Sequence, residues 1–174
     1  AMRRDFTINA LYYSIDGFVV LDHTNGMQDL AEKKIRIIGD ADQRYAEDPV
    51  RMLRAIRFQA KFDFSLETTT AKPITQLAPL LKQISAPRLF DEVLKLFFSG
   101  KGKKTFQLME EYGLFSPLFP TTAKLLSDQS EDSKRFHSLI LSALENTDRR
   151  IQQDKPVTPA FLYAALLWPR VLVI

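Results

Sequence analysis

The sequence predicts a mainly helical protein with a small antiparallel β element at its N-terminus. Two observations carry this expectation. Between residues 5 and 38, β-branched and aromatic residues gather in short runs parted by turn signals. From about residue 48 to residue 167 the apolar residues recur instead at helical spacing, with caps and breakers between the runs.

The elements follow in order. The run Phe6-Thr7-Ile8-Asn9-Ala10-Leu11-Tyr12-Tyr13 reads as a strand. Asp16-Gly17 is a turn signal, and Phe18-Val19-Val20-Leu21 makes the second arm of a hairpin. Asp22 to Asp29 is polar, contains Gly26 and reads as a loop. Ile35-Arg36-Ile37-Ile38 reads as a third short strand closed by Gly39, and Asp40-Ala41-Asp42 as a turn after it. Asp48-Pro49 then starts a helix that runs to about Phe62, with the carboxylate as cap and proline at the first helical position. Further helices are expected near 68–83, 87–98, 101–112, 132–150 and 159–168. Ser85 with Pro87, and Thr158-Pro159, mark two starts, while Gly113 reads as a C-terminal cap.

Composition narrows the function classes. An apolar content of 45% and a charged content of 26% suit a globular protein. No run of about 18 apolar residues is present to form a transmembrane helix. The charged Arg3-Arg4-Asp5 is followed by no apolar core of signal-peptide length. The absence of cysteine rules out disulfides and zinc–thiolate sites, and fits a cytoplasmic location. His23 and His137 stand alone and suit surface or turn positions better than metal ligation. A net charge of +3 is compatible with nucleic-acid binding without indicating it. Both ends read as cut. The chain opens on a charged pair leading straight into a strand, three short strands want further partners, and the chain stops within the apolar Val171-Leu172-Val173-Ile174.

The stretch richest in chemistry is Glu47 to Phe58. At about 100° per residue, Leu53, Ile56 and Ala60 share one helical face. Arg54, Arg57 and Lys61 fall opposite, and Arg51 sits at the edge near Phe58. Reading a base edge takes donors and acceptors together; arginine supplies a rigid fork of donors and a carboxylate the acceptors. Asp48 and Arg51 share the first helical turn and together can pair with a base. Arg54 and Arg57 continue the row and suit phosphates. On pattern alone a plainer account stands beside this one, in which Asp48 only caps the helix and the basic stripe is a solvated face.

Four motifs in order give the chain a resemblance. They are Arg3-Arg4-Asp5-Phe6-Thr7-Ile8-Asn9-Ala10-Leu11, the Asp-x₃-Gly-x₂-Asp-Leu run from Asp22 to Leu30, the Glu-Asp-x₂-Arg helix beginning at Glu47, and Arg88-Leu89-Phe90-Asp91-Glu92. In order and spacing they resemble the class II nucleotidyltransferases, which comprise bacterial tRNA nucleotidyltransferases (CCA-adding enzymes) and bacterial poly(A) polymerases. Tyr12-Tyr13, Arg44-Tyr45 and Leu114-Phe115-Ser116-Pro117-Leu118-Phe119-Pro120 bring it closer to the poly(A) polymerase branch.

The resemblance implies a division into residues 1–40, the end of a β-rich catalytic head, residues 41–125, a helical nucleotide-recognition neck, and residues 126–174, the start of a helical RNA-binding body. It implies that Arg3 and Arg4 lie beside the ribose and phosphates of the incoming nucleotide, with Asp5 as a third carboxylate near the metal site. Asp48 and Arg51 would select the base, with Arg54 and Arg57 in support. Asp22, Gly26 and Asp29 would shape the mobile link between sheet and helices, and Arg88 and Glu92 would brace the helices as an ion pair.

The family also carries a Gly-Ser loop and an Asp-x-Asp strand that bind two Mg²⁺ ions, and neither precedes Arg3. The expectation is therefore Mg²⁺ for the full-length enzyme, none bound to this chain, and no nucleotide addition by residues 1–174 alone. The implied activity is template-independent addition of AMP from ATP to RNA 3′ ends, with ATP and RNA as partners. CCA addition to tRNA is the alternative within the family, and a non-catalytic helical RNA-binding module the alternative outside it.

Overall fold

In the computed structural model, residues 3–128 and 130–171 are described. The chain forms two compact units, residues 1–77 and 78–174.

The first unit begins with a 3-10 turn at Thr7–Asn9 and a hairpin of β1 (Leu11–Ser14) and β2 (Val19–Asp22). The hairpin is antiparallel, with Leu11 opposite Asp22 and Ser14 opposite Val19. Gly17 has φ +102° and Phe18 φ +55°, so the Asp16-Gly17 signal supplies one of the two left-handed residues that close the turn. The first strand expected from the sequence is thus cut short. Phe6 forms only an isolated antiparallel bridge to Ile37, because Phe6 and Thr7 are drawn into the core instead of extending the hairpin.

The stretch from Asp22 to Asp29 is not all loop; it contains helix α1 (Gly26–Ala31). The Asp22 carboxylate accepts from the backbone N–H groups of Thr24 at 3.0 Å, Gly26 at 3.0 Å and Met27 at 2.9 Å, and so satisfies the start of that helix. These donors, Met27 foremost and Thr24 next, hold the Asp22 carboxyl below the ordinary carboxylate range. A depressed folded-state value stabilises the fold above the unfolded value of about 3.9, and that contribution is lost as pH falls through the folded value. Asp22→Asn is accordingly expected to melt below the parent at pH 6, with the gap closing toward pH 3. A gap independent of pH would show that charge on Asp22 is not what holds the helix start.

The third expected strand also finds a different partner. β3 (Lys34–Ile35) pairs in parallel with β4 (Ser65–Leu66) rather than with the hairpin. Between them come α2 (Ala41–Glu47) and α3 (Val50–Phe62). The Asp40-Ala41-Asp42 stretch is no turn: Asp40 caps α2, its carboxylate accepting from the Gln43 N–H at 2.9 Å. Helix α3 starts one residue later than the sequence suggests, with Pro49 as its N-cap, although Asp48 Oδ1 still accepts from the Val50 N–H at 3.3 Å. Two short helices, α4 (Thr68–Ala71) and α5 (Ile74–Leu77), complete the unit. The single helix expected over 68–83 is broken between them at Pro73, which cannot donate to the helical ladder, and 78–83 is 3-10 helix. Phe6, Ile35, Tyr45, Met52, Leu53 and Ile56 are fully buried and form the core.

The second unit is helical: α6 (Ala86–Phe97), α7 (Gly102–Glu111), α8 (Phe115–Leu118), α9 (Pro120–Ser127), α10 (Glu131–Gln152) and α11 (Pro159–Val171). Helices α6, α7, α10 and α11 fall where the periodicity puts them; α8 and α9 are additions, too short to show a period. Ser85 is the N-cap of α6, with proline just inside. Gly113, at φ +71°, ends α7 as expected: its N–H bonds the Glu110 carbonyl and the Leu114 N–H bonds that of Met109. The long α10, with Ile140 and Leu144 buried, packs against α7, α9 and α11, and Leu81, Leu96, Phe97, Phe106 and Met109 are buried in the same unit. His137 on α10 stands 2.9 Å from Glu110 on α7, and His23 is exposed in a bend. The terminal apolar residues 172–174 lie outside the described residues. No helix among the described residues is long and apolar enough to cross a membrane.

Candidate functional site

Helix α3 is amphipathic in the sense the sequence gives it. Leu53, Ile56 and Ala60 are buried, and Arg51, Arg54 and Arg57 stand at intermediate exposure. The N-terminal segment lies along this polar side and fixes the arginines. Asp5 Oδ1 accepts from Arg51 Nε at 3.0 Å, and Asp5 Oδ2 from Arg54 Nη1 at 2.8 Å. Asp5 itself is held from behind, its carbonyl accepting the Ile38 N–H at 2.8 Å. The next residue, Phe6, meets Phe58 of α3 edge to face at 5.6 Å between ring centroids. One dipeptide therefore docks the first motif onto the third, by charge at Asp5 and by aromatic packing at Phe6.

A second layer comes from α2. Glu47 Oε2 accepts from Arg44 Nη1 at 3.0 Å and from Arg51 Nη1 at 3.1 Å. Arg51 Nη1 also donates to the Arg44 carbonyl at 2.7 Å, and Arg44 Nη2 to the Arg4 carbonyl at 2.9 Å. Arg44 and Glu47 were not among the expected site residues. Arg44 and Glu47, three apart on α2, carried a local pairing signal, whereas their reach to Arg51 crosses the break between α2 and α3 and is set by the fold. The buried Nε atoms of Arg44 and Arg54 have no hydrogen-bond partner.

The expected residues are thus only partly brought together. Asp5, Arg51 and Arg54 form one cluster. Arg57 lies along α3 with its guanidinium 5.6 Å from the Phe58 ring centroid. Asp48 is half-buried beside the first turn of α3, and Arg3 and Arg4 are exposed. Arg51, with Asp48 the pair expected to select the base, lies against the N-terminal segment. Its side chain is only 14% exposed, because Asp5 and Glu47 close over it. Among the described residues no group of three or more histidine, cysteine or carboxylate side chains is placed to hold a metal ion. Asp5 spends both oxygens on guanidinium groups. The described residues do not fit a divalent cation.

The second motif interlocks with the first. The buried Asp29 accepts from the Thr7 hydroxyl at 2.7 Å and from Arg36 Nε at 3.2 Å. A Cβ at Gly26 would collide with the Thr7 carbonyl oxygen, so only glycine lets α1 approach this closely. Asp22, Gly26 and Asp29 therefore act on Thr7, two residues after Asp5. In the second unit, Glu92 is buried and accepts from Lys95 Nζ at 2.8 Å, while Arg88 stands on the exposed side of α6.

Comparison with known proteins gives matches over both units. The model of the poly A polymerase head domain matches residues 1–36, and the model described as a probable RNA and SrmB-binding site of polymerase A matches residues 63–126. Poly(A) polymerase I of Salmonella typhimurium (strain LT2) is 50% identical over 97% of this chain, and that of Escherichia coli O157:H7 is 49% identical over the same share. A CCA-adding enzyme of Lactobacillus gasseri is 43% identical over 64% of the chain. The chain spans 36% of the length of the two poly(A) polymerases. Among solved structures, a tRNA-processing enzyme in an apo form matches with a TM-score of 0.76 at 24% identity, covering 96% of this chain and 44% of that one. A tRNA nucleotidyltransferase complexed with a primer tRNA and an incoming ATP analogue matches with a TM-score of 0.72 at 24% identity, covering 95% and 47%. These two likenesses establish the shared fold.

Proposed function

Because the chain belongs to the family of bacterial poly(A) polymerases and CCA-adding enzymes, we propose that it supplies the nucleotide-selecting part of an enzyme that adds AMP from ATP to RNA 3′ ends. The observation that carries this reading is the arginine row of α3, aligned by the single carboxylate of Asp5. A row fixed before the ligand arrives loses little side-chain freedom on binding, which favours discrimination between nucleotides. Asp48 and Arg51 read the base edge, Arg54 and Arg57 meet the phosphates, and Arg3 and Arg4 stand on the ribose side. Residues 1–40 are the end of the head, 41–125 the neck and 126–174 the start of the RNA-binding body. Arg88 and Glu92 brace the neck helices. The identity to poly(A) polymerase I over nearly the whole chain supports ATP over the ATP and CTP of CCA addition.

The base-reading roles are separable from capping. Arg51→Ala removes a donor, and Asp48→Ala removes both an acceptor and a tether of the α3 start. A two-point base contact is worth roughly 1–3 kcal/mol of discrimination. A cap is worth about 1 kcal/mol of stability. Asp48→Ser in the whole protein is expected to keep the melting temperature and lose selection of ATP over CTP by about tenfold or more. The measurement is single-nucleotide incorporation on an RNA primer with each triphosphate. Unchanged selectivity in Asp48→Ser would leave Asp48 as a helix tether only.

A further inference from the structure

Arg44 on α2 reaches both halves of the nucleotide site and has no part in the contacts assigned to the nucleotide. Its base is fixed. Asp40 caps α2, and Tyr45, the next residue after Arg44, is fully buried with its hydroxyl donating to the Thr70 carbonyl at 3.0 Å. The helix is pinned at its start and along its inner face, and the Arg44 side chain leaves it only 17% exposed.

The guanidinium divides its donors. Nη2 donates to the Arg4 carbonyl at 2.9 Å, and Nη1 to Glu47 Oε2 at 3.0 Å. Glu47 Oε2 also accepts from Arg51 Nη1 at 3.1 Å, and the Arg44 carbonyl accepts from the same nitrogen at 2.7 Å. One residue thus holds the Arg4–Asp5 peptide with its side chain and Arg51 with its backbone. Arg3 and Arg4 lie on the N-terminal side of that peptide, and Asp5, the shared acceptor of Arg51 and Arg54, on the other. The Ile38 N–H fixes the following peptide through the Asp5 carbonyl at 2.8 Å. With a hydrogen-bonded peptide on each side, the Asp5 carboxylate has little freedom to follow a displaced arginine.

Stability alone is a poor account of Arg44. Its Nε is buried without a hydrogen-bond partner, and an unmet buried donor costs free energy that an apolar side chain of similar reach would avoid. What arginine adds is a rigid fork that serves two acceptors at once, a carbonyl on one side and a carboxylate on the other. A lysine carries a single nitrogen and does not reproduce that geometry.

We propose that Arg44 is a positioning residue for nucleotide selection: it locks the Arg3-Arg4-Asp5 backbone to Arg51, so that the ribose-side and base-side contacts close in one register. The proposal rests on the reading that Arg51 selects the base, and Arg44 itself touches no nucleotide. A register error weakens both sets of contacts together, since a displacement of about 1 Å caused away from the reacting atoms can cost about a hundredfold in rate.

The test is steady-state single-nucleotide incorporation on an RNA primer by the whole protein, with ATP and CTP measured separately. The variants are Arg44→Met, Arg44→Lys, Arg51→Ala and the double variant Arg44→Met, Arg51→Ala. Arg44→Met is expected to raise KM for ATP and to lower the preference for ATP over CTP in kcat/KM by about tenfold. Loss of folded enzyme alone lowers kcat for both triphosphates equally and leaves KM and the preference unchanged. Arg44→Lys keeps the charge without the fork, falls between parent and Arg44→Met, and serves if Arg44→Met melts early. In the Arg51→Ala background Arg44→Met lowers the preference further by less than about threefold, because the side chain it positions is gone. Parent KM and preference in Arg44→Met and Arg44→Lys, beside a defect in Arg51→Ala, would overturn the positioning role and leave the base reading intact. A further loss of about tenfold in the double variant would also overturn it, by showing that Arg44 acts independently of Arg51. Parent preference in Arg51→Ala would remove the base reading, and the positioning role with it.

Discussion

Asp5→Ala is expected to destabilise the unit of residues 1–77 by on the order of 3 kcal/mol and to disorder the arginine row of α3. The Asp5 side chain is 10% exposed and is the shared acceptor of Arg51 and Arg54. Removing one partner of a buried ion pair leaves an uncompensated charge and costs about 3–5 kcal/mol. The upper end is not reached here, since the Arg54 side chain is 35% exposed and gains water. Arg51 retains Glu47 and the Arg44 carbonyl and is disturbed less. Asp5→Asn does not repair the site, because its amide group turns a donor toward one guanidinium. The readout is urea unfolding followed by far-UV circular dichroism, together with ATP binding. Trp168, the one tryptophan, lies in the other unit, so its fluorescence is an internal control. Loss of ATP binding with parent stability in Asp5→Ala would show that Asp5 is held for a ligand and does not clamp the helix.

Gly26→Ala is expected to cost roughly 2–3 kcal/mol in the same unit, with no polar group removed. A Cβ at this position meets the Thr7 carbonyl, a backbone atom that cannot swing aside as a flexible side chain would. Relief requires α1 to withdraw from the 3-10 turn at Thr7–Asn9. That movement stretches the buried bond between the Thr7 hydroxyl and Asp29, and it pulls on a backbone only two residues from Asp5. If the arginine row binds ATP as proposed, the variant weakens ATP binding as well as the fold, although Gly26 touches no residue of that row in any described contact. Hydrogen exchange separates the two effects, with protection expected to fall first at the Ala10 N–H, which bonds the Thr7 carbonyl. Parent-like exchange and stability in Gly26→Ala would mean that α1 shifts without cost and that the second motif does not hold the first.

Much of the architecture follows from the sequence alone. The period of the apolar residues, the capping Ser85 and the Schellman glycine Gly113 are local signals, and the elements they mark appear in place. The two faces of α3 follow from helical spacing for the same reason. The hairpin turn was legible because Asp16-Gly17 sets the backbone without help from distant residues.

What the tertiary structure alone decides are the pairings between segments far apart in the chain. Ile35 joins Leu66 rather than the hairpin, and the segment that looks like a strand at Phe6 is bent into a 3-10 turn by the core it enters. Helix α2 is the exception: it has too few apolar residues to announce itself, but Asp40 three residues before Gln43 is a local capping signal that the turn reading passed over. The site shows the same division. Its arginines were legible as a row, whereas the carboxylate that aligns them lies 46 residues from Arg51 in sequence. No periodicity links Asp5 to α3; that contact depends on where Phe6 buries its ring, which is a property of the folded core.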